Sequence, residues 1–541
     1  MGMNSLTVAN TETILGGTGD DTIILPTAAV GTSIDLRGGT DKVTFGNFAN
    51  TATVANVETI IGGSVSDTIT LASTLTSAML VDLGAGSNKL TLAAGGNVGT
   101  LSNVNTLIGG SGADVITLAT PLTGGSIDLG GGNDSLTLAN GGNTASIANV
   151  ETIIGGAGND TITLATALTS AMLVNLGAGS NNLTLAAKGN VGTVSNVNTL
   201  IGSAGNDNIT FVTRLSNGSV DLGLGSDRLS LADGGNTLTA ANIETLIGGA
   251  GADVVTLTTA AINASIDLGA GNDAVYFGNF ANSATVANTE TVVGGSGNDT
   301  MTLATALTPG MSVDLGAGNN KLALANGGNS GTVKNVSTLI GGTGADSVTL
   351  GGAVTNGVVD LGGGNDTLTL ANGTNSVTAM NTETVIGGSG NDTIVLSGNV
   401  ASLVIGGGGM NFITGNTAPD TFVFDQNSSS SSTKLMNFST MYGDKIALDT
   451  TGSNTLGHNT YDLGGAPLTL NTDLVVVANA TARLKTNLAN HGKGGFAFEQ
   501  DNGQLYYSSN GSFAGGGTLI GTITTDGTHP WAFNANSFIQ V

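Results

Sequence analysis

The run Asn56-Val57-Glu58-Thr59-Ile60-Ile61-Gly62-Gly63 returns along the chain, its Asn falling at Asn10, Asn56, Asn103, Asn149, Asn196, Asn242, Asn288, Asn335 and Asn381, in steps of 46 or 47 residues. Such repetition leaves few folds open, because a unit this short cannot bury its own apolar face and must stack on its neighbours. Each unit holds two glycine-rich turns: one of the form GGxGxD, as in Gly155-Gly156-Ala157-Gly158-Asn159-Asp160, and one of the form DLGxGx(D/N), as in Asp128-Leu129-Gly130-Gly131-Gly132-Asn133-Asp134. After both comes alternating sequence such as Thr161-Ile162-Thr163-Leu164 or Ser135-Leu136-Thr137-Leu138. Alternation of Thr with Ile or Leu at period two describes short strands with one buried face. From Asp21 to Asp41 is 20 residues and from Asp41 to Asp67 is 26, so the two turns divide each unit into a short and a long coil of two strands each. The expected fold is all-β: a parallel, β-roll-like solenoid of about 17–19 coils over residues 1–424, in which each coil touches only its neighbours, followed by a β-rich cap over 425–541.

Composition supports order rather than disorder. Of 541 residues 88 are Gly, yet 39% are hydrophobic and only 9% charged, whereas disordered chains combine low hydrophobicity with high charge. The glycine is therefore positional. Thirteen basic residues against 38 acidic ones give a net charge of −25, which repels nucleic acid and favours a cation as partner. No cysteine is present for disulfides or thiolate metal sites. No stretch of 18 apolar residues exists, so membrane insertion is not expected, and Met1 to Thr7 lack the basic and apolar regions of a signal peptide, so export would use another signal.

The segments GGTGDDTI, GGSGADVI, GGAGNDTI and GGSGNDTM resemble the start of the RTX nonapeptide GGxGxDxUx, whose parallel β-helix binds calcium. The resemblance implies that turn glycines take positive φ while backbone carbonyls and the Asp carboxylate coordinate Ca2+. Tandem nonapeptides recur every nine residues and these turns do not, so calcium is expected along one edge only.

The sixth position of the first turn carries Asp21, Asp67, Asp114, Asp160, Asp207, Asp253, Asp299, Asp346 and Asp392. In the second turn the same position carries Asp41, Asn88, Asp134, Asn181, Asp227, Asp273, Asn320 and Asp366. Asp and Asn favour tight turns on their own account, but Ser and Gly, which a turn would also accept, are missing from the column. Carboxylates stacked one coil apart repel, so either a cation lies between them or they splay into solvent. Seventeen residues after each second-type turn stands Glu58, Glu151, Glu244, Glu290 or Glu383 where the turn has Asp, and Asn105, Asn198 or Ser337 where it has Asn. An Asp–Glu pair could clamp a hard cation between coils; an Asn pair would leave a neutral site. Near residue 405 the spacing tightens, placing Asn411 and Asp420 nine apart like a tandem nonapeptide pair, and Asp420 joins the expected metal ligands. The invariant Asn column, with Thr13, Thr59 and their equivalents three places on, reads as stacked amide and hydroxyl ladders without chemistry.

Residues 435–449, LMNFSTMYGDKIALD, resemble the segment that follows the repeats in serralysin-like and other type I secreted proteins, and 496–511 and 536–541 are similar to their C-terminal cap and secretion signal. This implies a protein secreted by a type I system and located outside the cell or on the surface of a Gram-negative bacterium. The three histidines, His458, His491 and His529, form no HExxH motif, and no nucleophile elbow with a His partner occurs, so catalysis is not expected. The expected function is that of an extracellular calcium-binding structural protein, an S-layer subunit or matrix filament, self-associating into sheets or filaments, with cell-surface polysaccharide as a further candidate partner. The alternative is an ice-binding or adhesin module, since Thr70, Thr117, Thr163, Thr210, Thr256, Thr302 and Thr349 occupy one strand position.

Overall fold

A computed structural model of the chain describes residues 2–424, 433–448, 474–477, 482–483, 494–525 and 537–540. The alternating segments form strands as expected. Ser5–Thr7, Thr22–Leu25, Lys42–Phe45 and Thr59–Ile61 pair in parallel in one sheet. Thr13–Leu15, Val30–Asp35, Thr51–Ala55 and Thr68–Leu71 do so in a second. The chain visits the sheets in turn, and the inward side chains of both, such as Ile60, Val81, Leu90, Ile116, Leu136 and Ile153, are wholly buried between them. Burying one such side chain contributes about 1.5–3 kcal/mol. Because every coil offers the same few inward positions, the core is a column rather than a centre.

The chain divides into two compact units, Met1–Ala274 and Val275–Val541. In the first, parallel partners such as Ser5 and Thr22, Thr22 and Lys42, and Thr59 and Leu80 lie 17 to 21 residues apart. A 46- or 47-residue repeat therefore spans five strands, or two and a half coils, and not the two unequal coils read from the turns. The difference lies in a fifth crossing per repeat, in the longer interval between turns that holds segments such as Gly46–Asn50 and Ala93–Asn97, which lack the RTX-like consensus. Together the two units hold about 22 turns, more than the 17–19 expected. The half coil also moves each repeat to the opposite edge from the one before: Asp21 and Asp41 lie where the chain passes from the second sheet to the first, and Asp67 and Asn88 where it passes back.

The second unit continues the same pattern from Thr300–Leu303 and Lys321–Ala323 onward. Its ladder runs across residue 424, since Thr421–Phe424 pairs in parallel with Lys445–Leu448. Phe538–Gln540 adds to Lys445–Leu448, and Thr518–Thr525 adds to Thr433–Phe438. There the direction changes: Gln504–Ser508 lies antiparallel to both Gly495–Glu499 and Thr518–Thr525. Phe496, Phe498, Phe513 and Phe538 are buried among these strands, and the buried Arg483 pairs with Glu499 and stacks 3.6 Å from the Tyr506 ring centre. The three histidines and Trp531 lie outside the described residues.

Candidate metal centre

Every Asp of the first-turn column, from Asp21 to Asp392, has its side chain inside the turn, no more than 2% exposed. The same holds for Asp41, Asp134, Asp227, Asp273 and Asp366 of the second. None splays into solvent. Each carboxylate instead reaches back one coil and accepts a backbone N–H, so that the edge becomes a ladder of side-chain caps. On the edge carrying Asp134, the Leu75 N–H donates to Asn97 Oδ1, Asn97 N–H to Asp114, Asp114 N–H to Asp134, and Asp134 N–H to Glu151 Oε2, over 2.7–3.0 Å.

The ladder includes a second column of asparagines, outside the two glycine-rich turns. Asn50, Asn97, Asn143, Asn190, Asn236, Asn282, Asn329 and Asn375 are all buried, and each donates through both N–H and Nδ2 to the first-turn Asp of the next coil. Their signal was in the sequence. They precede Asp67, Asp114, Asp160, Asp207, Asp253, Asp299, Asp346 and Asp392 by the same 17 residues that separate Asp41 from Glu58.

The two turn types then diverge. In the first, the second carboxylate oxygen of Asp21, Asp67, Asp114, Asp253, Asp346 and Asp392 is met by the turn's own backbone, as where Gly63 N–H donates to Asp67 Oδ2 at 3.2 Å and Gly388 N–H to Asp392 Oδ2 at 3.1 Å, whereas Oδ2 of Asp160, Asp207 and Asp299 is buried with no donor. In the second, Asp41, Asp134, Asp227 and Asp366 use Oδ1 to cap Asp21, Asp114, Asp207 and Asp346 at 2.6–2.8 Å, while their Oδ2 is buried with no donor. Such an atom normally costs about 1–3 kcal/mol or more when charged. Burial, reinforced by the neighbouring Asp207 and Glu244, pushes Asp227 up to about 6. Asp41, Asp134 and Asp366 are raised likewise, mainly by burial with Asp and Glu neighbours adding.

Glu58, Glu151, Glu244 and Glu383 stand one coil on and accept the N–H of Asp41, Asp134, Asp227 and Asp366 at 2.6–2.8 Å, so the structure brings together the pairs that the 17-residue spacing joins. Asp273 caps Asp253 at 2.7 Å, and Glu290 belongs to the second compact unit. Asp420 differs, because both its oxygens accept backbone N–H groups, from Ser402 and Asn416, and its own N–H donates to Asp444. It and Asn411 lie in successive crossings, and so on opposite edges.

Glycine completes the cradle. A Cβ on Gly109 would stand 2.2 Å from Leu129 O and 2.7 Å from Asp114 Oδ2, so the space it leaves is faced by a carboxylate oxygen of one turn and a carbonyl of the next. Among the described residues no three His, Cys, Asp or Glu side chains converge as a metal cluster. A cation here would draw on backbone carbonyls as well as on one or two carboxylates. That donor set, all oxygen and rich in carbonyls, suits calcium, which takes six to eight oxygen ligands.

The invariant Asn column does not stack on itself. Consecutive members are two and a half coils apart, on opposite edges, and each adopts a left-handed φ of 48–58°. Asn56 and Asn103 donate Nδ2 to Asp35 and Asp82 one coil back, at 2.8 and 2.6 Å, so the ladder is mixed.

Residues 8–24, 102–118, 148–164, 194–210, 238–257, 287–302 and 381–398 match the family of the RTX calcium-binding nonapeptide repeat. The chain carries RTX calcium-binding repeats. Each matched RTX segment runs from a left-handed Asn through a GGxGxD turn, or GSAGND at residues 202–207, into the next strand, and Ca2+ is the ion such repeats bind. No curated protein matches the chain in sequence. Among solved structures it is similar to a hyperactive, Ca2+-dependent, β-helical antifreeze protein from an Antarctic bacterium, with 17% identity and a TM-score of 0.16 over 59% of this chain and 80% of that one.

Proposed function

We propose that this RTX chain is an extracellular calcium-binding structural protein, a cell-surface or S-layer-like subunit or matrix filament without catalytic activity, whose solenoid is rigidified by calcium bound in the second-type turns. The observation that carries this reading is the set of buried Oδ2 atoms of Asp41, Asp134, Asp227 and Asp366, which have no donor and sit with a second acid one coil on. Without a cation these groups oppose folding; with one they bind successive coils together. An ion that binds only the folded state stabilises it by mass action. The tail that resembles type I secreted proteins supports export to a compartment where calcium is plentiful.

The threonine series does not favour ice binding. Thr70 and Thr117 fall on different sheets, because the repeat advances by half a coil. Within one sheet the outward column through Thr70 reads Thr13, Ser33, Thr53, Thr70, Thr91, Ile108, Asp128, Ala148, so five hydroxyls, one of them a serine, give way to aliphatic and charged groups. A flat plane of threonine is missing from it.

The test is circular dichroism of the full chain after exhaustive chelation and after return of millimolar calcium. Loss of β-structure in chelator and its recovery on calcium are expected; an unchanged spectrum overturns the reading.

A further inference from the structure

The second-type turns with Asn differ from those with Asp in one atom, and the structure shows what that atom does. Asn88 caps the Asp67 N–H through Oδ1 at 2.9 Å, as Asp134 caps Asp114. Its Nδ2 then donates to three backbone carbonyls, those of Leu83 at 3.2 Å and of Gly84 and Asn103 at 2.9 Å. Asn181 repeats this with Leu176, Gly177 and Asn196, and Asn320 with Leu315, Gly316 and Asn335, at 2.9–3.3 Å. Three copies agree on a focus of carbonyl oxygens filled by a donor. At the matching position Asp41, Asp134, Asp227 and Asp366 place an oxygen that has no donor.

We infer that the amides of Asn88, Asn181 and Asn320 stand in for the cation, so that the chain alternates ion-held coils with coils that close without calcium. This rests on the calcium reading above. An amide N–H and a hard cation answer the same need, since each offers positive charge to converging carbonyl oxygens, and only the cation can also join a carboxylate to them. The neighbour 17 residues on follows suit. Asn105 accepts the Asn88 N–H at 2.9 Å and Glu151 accepts the Asp134 N–H at 2.8 Å, so the cap itself needs no charge. The glutamate's charge is left over for an ion. Residues 1–274 add a spatial order: Asp41, Asp134 and Asp227 lie on one edge, 93 residues apart, and Asn88 and Asn181 on the other, until Asp273 follows Asp227 directly.

The experiment exchanges the two kinds of turn in the full chain. One variant carries Asp134→Asn with Glu151→Asn, the pair found at 88 and 105; the other carries Asn88→Asp with Asn105→Glu. Each is stripped with chelator and titrated with calcium chloride, and bound ions are counted by calorimetry and native mass spectrometry. The first variant is expected to bind one ion fewer than the parent chain and the second one more, and in chelator the first keeps more β-structure than the parent while the second keeps less. Unchanged ion counts in a parent chain that does bind calcium overturn the inference and leave the calcium reading standing; a parent chain that binds none overturns both. If the first variant does not fold, the second decides alone, because its new site either takes an ion or does not.

Discussion

Asn97→Ala tests whether the edge ladder, as distinct from the ion, holds the coils in register. The Asn97 side chain is wholly buried; Oδ1 accepts the Leu75 N–H at 3.0 Å, and Nδ2 donates to Ala93 O, Gly95 O and Asp114 Oδ1 at 2.7–2.9 Å. Alanine strands the Leu75 N–H in a place water does not reach, at about 1–3 kcal/mol, and removes a hydrogen bond to a carboxylate worth about 1.5–3 kcal/mol. The combined loss is about 3–5 kcal/mol, and at 1.4 kcal/mol per decade local opening should become roughly a hundred- to a few-thousand-fold more frequent. Native-state hydrogen exchange in saturating calcium reads this at the amides of Leu75 and Val98, the latter bonded to Leu75 O at 2.9 Å. Leu168, capped in the same way by Asn190 at 3.0 Å, should keep its protection, because a solenoid passes strain only to adjoining coils. Wild-type protection at Leu75, or an equal loss at Leu168, would refute the reasoning.

In chelator the pH dependence should run opposite to that in calcium. Asp227 is raised from 3.8 to about 6 in the folded chain, so its protonation favours folding below 3.8, and that contribution is lost as pH rises through 6; melting of the metal-free protein should move to higher temperature between pH 7 and pH 5, whereas the calcium-loaded protein, whose ions compete with protons, should move to lower temperature. Gly130→Ala should destabilise by about 2–5 kcal/mol in a denaturant titration, since φ is +87° there and a Cβ would fall 2.1 Å from Gly110 O; a loss within ~0.5 kcal/mol would show that the turn yields. Electron microscopy should reveal ordered sheets or fibres in calcium and single particles in chelator, as ions offset part of a −25 charge; a protein that stays monomeric when concentrated in saturating calcium would count against the surface-layer reading.

Much of this fold is legible in the residues, because Thr-Ile-Thr-Leu runs can do little else than alternate in and out of a thin core. The link between Asp134 and Glu151 was visible as co-varying positions 17 apart, and it is a backbone cap in the structure. Two things were hidden. The additional crossing of each repeat, such as Ala93 to Asn97, carries Gly95-Gly96 but not the GGxGxD pattern and reads as loop, so the extra half coil went unseen. The inward aim of the Asp column was hidden for a different reason: acidic side chains are ordinarily exposed, and only the stacked N–H groups of the preceding coil make burial favourable here. Asp420 stands as the first-turn Asp67 and Asp392 do, with a backbone N–H donated to each of its oxygens.

The half coil left over in each repeat also constrains how such a gene can lengthen. Duplicating one repeat inverts everything downstream, carrying acidic turns to the edge where amide turns had been; duplicating two restores the original order. The near-identity of segments 67–93 and 160–186, two repeats apart, fits growth by pairs. The succession of Asp227 and Asp273 marks a place where the count is odd. A repeat of 46 residues thus behaves in inheritance as one of 93, and a lineage that gains or loses a single repeat exchanges the edges on which its acidic turns stand.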